Sequence, residues 1–155
     1  MEKKLFNTVI IDDEVVAILE LIDLLNVYSS INIVGTATNL DEGIELIKFT
    51  NPNIVFLDLD MPYKSGIEIY NEFESPDFKI ILCSSKKQFS IRNFGKPFSG
   101  FLFKPFDIVT LEELLQKVHD ELLLEQNPLK LTKNLKTNSR GEINGNLIKY
   151  KLHFT

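Results

Sequence analysis

Four apolar runs in this chain each close on a polar group: Ile10-Ile11-Asp12-Asp13, Phe56-Leu57-Asp58-Leu59-Asp60, Leu82-Cys83-Ser84-Ser85 and Leu102-Phe103-Lys104-Pro105. Short continuous apolar runs of this kind suit strands buried on both faces, which occur in parallel sheets covered by helices. With each run a strand, the acids, a hydroxyl and an ammonium emerge together at the carboxyl edge of the sheet. Open α/β folds keep their ligand sites there. Three carboxylates crowded at that edge repel: at a separation of about 5 Å and an effective dielectric near ~20, each pair costs roughly 3 kcal/mol. The cluster asks for a cation. A hard divalent ion with oxygen ligands, Mg²⁺, together with Lys104 would neutralise it and leave a pocket suited to a phosphoryl group.

The stretches between these runs carry helical periodicity, so strand and helix alternate. The pattern predicts strands over Leu5 to Ile11, Ile31 to Thr36, Asn53 to Leu59, Lys79 to Cys83 and Gly100 to Phe103. Helices are predicted over Glu14 to Tyr28, with Ile18, Leu21, Ile22 and Leu25 on one face, over Leu40 to Phe49, over Gly66 to Phe73 and, more loosely, over Gln88 to Phe94. A last helix is predicted from a capping box of Thr110 and Glu113 to about Gln126, with Leu111, Leu114, Leu115, Val118 and Leu122 inward. Five such units joined by right-handed crossovers give an α/β fold, a three-layer (βα)5 sandwich around a parallel five-stranded sheet.

At 155 residues the chain can bury one good core and is too short for two ordinary domains. Its charge is uneven: residues 1–127 carry 11 basic against 21 acidic side chains, whereas residues 128–155 carry 6 against 1. A boundary is therefore expected near Asn127-Pro128. The acidic body argues against a nucleic-acid surface, while the basic tail is either a phosphate contact or a solvated strand edge. That tail reads as strand-like, with Ile148, Tyr150, Leu152 and Phe154 alternating with polar residues and Asn144-Gly145 as a hairpin signal. Cys83 is the only cysteine, so no internal disulfide forms, and its place in an apolar run makes it a buried structural thiol. The amino terminus runs straight into Asp12-Asp13-Glu14 and is no signal peptide, and no apolar stretch reaches membrane-spanning length. A cytoplasmic protein without a membrane partner is expected.

Within the acidic cluster Asp58 is the natural nucleophile, because a carboxylate beside a cation can accept a phosphoryl group as an acyl phosphate. Asp12 and Asp13 would hold the metal, and Ser84 and Lys104 would meet the phosphoryl oxygens. Asp60 lies two residues after Asp58 and Lys86 two after Ser84, so the two side chains are expected to face each other at the rim of the pocket. Two phosphate-handling families share these parts. Asp58-Leu59-Asp60 after an apolar strand looks like the first motif of haloacid-dehalogenase-type, Mg²⁺-dependent phosphatases. In that family the hydroxyl, the lysine and the paired acids all follow this motif, whereas here Asp12-Asp13 precedes it and Met61-Pro62 stands where Gly-Thr is usual.

The whole arrangement instead resembles the receiver domain of bacterial two-component response regulators. The matching residues are Asp12-Asp13 with Glu14, Asp58, Met61-Pro62 with Gly66, Ser84 and Lys104-Pro105-Phe106, and the resemblance runs from residue 5 to about 125. It implies a flavodoxin-like fold with sheet order 2-1-3-4-5. It also implies that Asp58 takes its phosphoryl group from a sensor histidine kinase. Direct Mg²⁺ ligands would be Asp13, Asp58 and the main-chain carbonyl of Asp60, with Asp12 acting through water and Lys104-Pro105 as a cis peptide. Ser84 and Phe101 occupy the positions of the conformational switch, and the face of the fourth helix, strand five and the last helix is where a homodimer would form. The Asp-Asp-Glu run and strand-like tail resemble receivers joined to LytTR-type DNA-binding domains, so residues 128–155 would be the start of an effector domain. DNA would be a partner only through such a domain. An effector-free phosphorelay intermediate is the remaining reading of the same site.

Overall fold

The computed structural model describes residues 4–86 and 96–127. The expected helix over Gln88 to Phe94 and the strand-like tail beyond Pro128 lie outside these residues. In chain order the elements are β1 (Phe6–Ile11), α1 (Val15–Leu25), β2 (Ile31–Ala37), α2 (Leu40–Thr50), β3 (Ile54–Asp58), a 3-10 helix (Gly66–Asn71), β4 (Lys79–Ser84), β5 (Gly100–Phe103) and α3 (Ile108–Gln126). All strands pair in parallel in the order β2-β1-β3-β4-β5, the order expected. The chain divides into two compact units, Met1–Val118 and His119–Thr155, and the sheet belongs to the first.

Alternation along the strands sends successive side chains to opposite faces. Val9, Ile11, Val55, Leu57, Ile80, Leu82 and Phe101 form one buried cluster with Leu40, Ile44 and Ile47 of α2 and with Ile69 and Tyr70 of the 3-10 helix. The intervening residues Ile10, Ile54, Phe56, Ile81 and Leu102 are equally buried, so that, while the edge strand β2 is only partly buried, the inner strands β1, β3 and β4 are covered on both faces. That is why these strands read as unbroken apolar runs. α1 buries Ala17, Ile18, Leu21 and Leu25, and α3 buries Leu111, Leu115 and Val118.

Three helix boundaries differ from the sequence expectation. α1 stops at Leu25 rather than Tyr28, because the Tyr28 N–H turns back to the Leu25 carbonyl (3.0 Å) and the Ile31 N–H to that of Tyr28 (3.0 Å). The segment after Gly66 is a 3-10 helix of six residues, started by a capping box between Ser65 and Glu68. α3 is capped by Asp107 and not by Thr110: the Asp107 carboxylate accepts from both the N–H (2.8 Å) and the hydroxyl (2.7 Å) of Thr110.

Candidate functional site

Strand register fixes which residues meet at the carboxyl edge. Ile11 pairs with Leu57, Asp58 with Cys83 and Ser84 with Phe103. Backbone bonds carry the ladder one step further, from the Asp12 N–H to the Ala37 carbonyl (3.1 Å), from Leu59 to Cys83 (2.9 Å) and from Lys104 to Ser84 (2.9 Å). Asp12, Asp58, Ser84 and Lys104 therefore all emerge at one end of the sheet, as the four apolar runs predict. Asp58, Asp12 and Ser84 are buried, at 1%, 3% and 0% exposure.

Carboxylate oxygens of Asp12, Asp13 and Asp58 all lie within 4.8 Å of one another. Lys104 closes the cluster: its Nζ is 2.7 Å from Asp12, 3.0 Å from Glu14 and 3.6 Å from Asp58. The Lys104-Pro105 peptide is cis. Burial, and then the charge of Asp12, push the Asp58 carboxyl up to about 7. Burial also raises Asp12, against the opposing pull of Lys104. For Lys104 itself burial favours the neutral amine, but hydrogen bonds to Asp12 and Glu14 and the charge of Asp58 outweigh it and raise the ammonium above its ordinary value. One lysine thus leaves the acids undercompensated. The donors are all hard oxygens, as a divalent cation such as Mg²⁺ prefers over nitrogen or sulfur, so the residues fit that ion.

The Asp60 carboxylate is directed elsewhere. It accepts from the Ser84 hydroxyl at 2.6 Å and pairs with the Lys86 ammonium at 3.0 Å, and the Lys86 N–H donates to Ser84 Oγ at 3.0 Å. Although burial opposes it, these partners hold Asp60 below the usual carboxylate range. The rim pair of Asp60 and Lys86 is thus present as the spacing predicts, and Asp60 keeps only its main-chain carbonyl for the metal role that the resemblance implied.

The loop after β3 is packed against Asp58 itself. Ser65 Oγ donates to the Leu59 carbonyl (3.0 Å), the Gly66 N–H does so more weakly (3.3 Å), and a Cβ at Gly66 would stand 2.3 Å from the Asp58 carbonyl oxygen. Only glycine permits that approach. On the far side, the Tyr70 hydroxyl bonds the Pro97 carbonyl and Lys117 Nζ the Ser99 carbonyl, fixing the residues that lead into β5. Phe101 is buried, its ring edge-on to Phe98 at 6.0 Å and stacked on Phe103 at 5.1 Å. Cys83 is buried too, and burial raises its thiol well above the ordinary value, as expected of a structural cysteine.

Two contacts went unread in the sequence. Glu14 has no side-chain cap to make for α1 and reaches Lys104 instead; its signal was its place as the third acid before the helix. The bond from Ser84 to Asp60 left no signal, because spacing does not say which acceptor a hydroxyl will choose.

The response regulator receiver domain family matches residues 8–117. The chain belongs to that family, the receivers of two-component systems. Membership decides between the two phosphate-handling readings and sets the phosphatase aside. Among its relatives is an uncharacterised response regulatory protein of Shewanella oneidensis, 32% identical over 120 residues that cover 76% of this chain and 50% of the relative. The transcriptional regulatory protein BtsR of Escherichia coli is 31% identical over 119 residues, covering 76% of this chain and 49% of BtsR. This receiver thus spans about half the length of those relatives. In fold it is similar to the receiver domain of AraT, a response regulator from Geobacillus stearothermophilus, with a TM-score of 0.71, 23% identity and coverage of 79% of this chain and 99% of that one. Among the described residues no helix is long and apolar enough to cross a membrane.

Proposed function

We propose that this receiver takes a phosphoryl group from a phosphohistidine of a sensor kinase onto Asp58. A carboxylate oxygen of Asp58 forms the new O–P bond as the P–N bond breaks, and the departing imidazole takes up a proton from solvent. The observation that carries this reading is the buried Asp58 carboxylate at the end of β3, set between the Asp12–Asp13 acids and the Lys104 ammonium. Asp12, Asp13, Asp58 and the Asp60 carbonyl would hold Mg²⁺, which supplies charge neutralisation for the cluster and for the phosphoryl oxygens. Lys104 keeps the ionised acids paired until the phosphoryl group arrives and then offers it a fixed cation.

Phosphorylation should shift the active population incompletely. A hydrogen bond from Ser84 to a charged phosphoryl group is worth roughly 1.5–3 kcal/mol, whereas moving an equilibrium from 1:99 to 99:1 needs about 5.5 kcal/mol. Self-association over the surface beside β5, beneath which Phe101 is buried, would supply the rest. A beryllofluoride-bound protein that stays monomeric and yet gives one fully shifted NMR spectrum would contradict this.

Intact-mass measurement after treatment with acetyl phosphate and Mg²⁺ tests the reading directly. One phosphoryl group per chain is expected, none in Asp58→Asn and none with EDTA in excess of Mg²⁺. Label persisting in Asp58→Asn would overturn it.

A further inference from the structure

A serine hydroxyl has one proton to donate. In this structure Ser84 donates it to Asp60 at 2.6 Å, while the other carboxylate oxygen of Asp60 is held by Lys86 at 3.0 Å. The Lys86 N–H donates back to Ser84 Oγ, so the three residues form a closed ring. A phosphoryl group on Asp58 would have to compete with an existing anion for the same proton. We propose that Asp60 is a positioning residue that latches Ser84 in the resting receiver, and that switching requires this bond to be broken. The claim rests on Asp58 being the acceptor.

The geometry gives the latch both strength and reach. A hydroxyl bound to an ionised carboxylate makes one of the stronger kinds of hydrogen bond, and here the serine is fully buried while the acid is mostly shielded, at 17% exposure. Lys86 is half exposed, so it orients the Asp60 carboxylate without adding much energy of its own. Ser84 is also tied to β5, since its carbonyl accepts the Lys104 N–H and it pairs with Phe103. The Ser84 backbone is thus held beside the strand that carries Phe101 and ends just before Lys104, so its side chain can leave the latch by rotating while the strand pairing stays intact. Asp60 would set how much of each phosphorylation event is consumed in releasing the switch.

Beryllofluoride, which mimics the phosphoryl group on an aspartate, provides the test on the full chain at one saturating Mg²⁺ concentration. Its affinity is measured for the native protein, Asp60→Ala, Ser84→Ala and the double variant. The latch predicts that Asp60→Ala tightens binding far more when Ser84 is present than when it is absent, by about tenfold, or roughly 1.4 kcal/mol. A gain of equal size in both backgrounds would mean that Asp60 acts only through its charge, and would overturn the latch. So would no gain at all. Asp60→Asn, which keeps the size and a weaker acceptor, runs the same cycle and should give a smaller gain. A native chain that takes no label on Asp58 from acetyl phosphate would instead bring down the acceptor reading, and the latch with it.

Discussion

Two lysine–aspartate pairs flank Asp58, nearly equal in length and unequal in surroundings. Lys104 and Asp12 meet at 2.7 Å with side chains only 13% and 4% exposed, whereas Lys86 and Asp60 meet at 3.0 Å with 54% and 17% exposed. Water and salt screen the second pair and barely reach the first. Distance alone would rank the two alike; burial separates them. The inner pair is a structural requirement, since without it two buried acids face each other, and the outer pair is a surface device that can be tuned without unfolding the protein.

Removing Lys104 should break this comparison open with the largest effect. Deleting one partner of a buried pair costs about 3–5 kcal/mol, so Lys104→Met should lower the stability of the metal-free protein by about that much in urea unfolding near neutral pH. A loss no larger than that of Lys86→Ala would show that burial does not separate the two pairs.

Asp58→Asn should act in the opposite direction. It relieves repulsion of roughly 3 kcal/mol per close pair of acids but forfeits attraction to Lys104, so a net gain of about 1–3 kcal/mol in metal-free stability is expected. The sign with pH follows from the raised carboxyl. Between its ordinary value of 3.8 and about 7, native Asp58 keeps a proton that the unfolded chain has released, so native stability falls as pH rises through that window. The advantage of Asp58→Asn should therefore grow across the window and level off above it. An advantage that is constant in pH would refute the assignment of the strain to Asp58.

The smallest effect belongs to the outer pair. As a pair at the rim of the pocket, Asp60 and Lys86 would stand in the path of a water attacking a phosphoryl group on Asp58. An exposed ion pair holds its geometry by about 0–1 kcal/mol, so Lys86→Ala should shed its phosphoryl group faster, by no more than about fivefold. Mg²⁺ affinity and phosphorylation stoichiometry should not change. Equal decay rates, followed by intact mass after the phosphodonor is removed, would show that the pair does not obstruct water.

What could be read from the chain follows the same division between buried and exposed. β5 falls on Gly100–Phe103 as the pattern predicts, because an apolar run between Ser99-Gly100 and Lys104-Pro105 has no other way to fit a covered sheet. The placement of Asp12, Asp58, Ser84 and Lys104 follows from it, as register is set wherever both faces are buried. Choices among near-equal local partners were not legible. Asp107 and Thr110 both begin a plausible cap, and only the structure shows that the threonine hydroxyl is used as a donor to the aspartate. The stretch after Gly66 has apolar spacing that suits either a 3-10 or an α-helix over so few residues. Asp60 to Lys86 was foreseeable from two equal offsets, whereas Ser84 to Asp60 depends on a single rotatable bond.

Gly66 gives Asp58 a further property. Because that residue has no side chain, the start of the 3-10 helix lies directly on the Asp58 carbonyl, and Ser65 and Gly66 both return to the Leu59 carbonyl next to it. Asp58, the proposed acceptor, therefore stands on a backbone that is braced from outside the sheet. Bringing reactants into attack geometry is otherwise an entropic burden, one for which well-aligned groups reach effective molarities of about 10⁵ M or more. In this receiver the main-chain share of that ordering at Asp58 is completed when the chain folds. With Asp58 as the proposed acceptor, what would remain for the encounter with a phosphodonor is to orient that carboxylate and the donor.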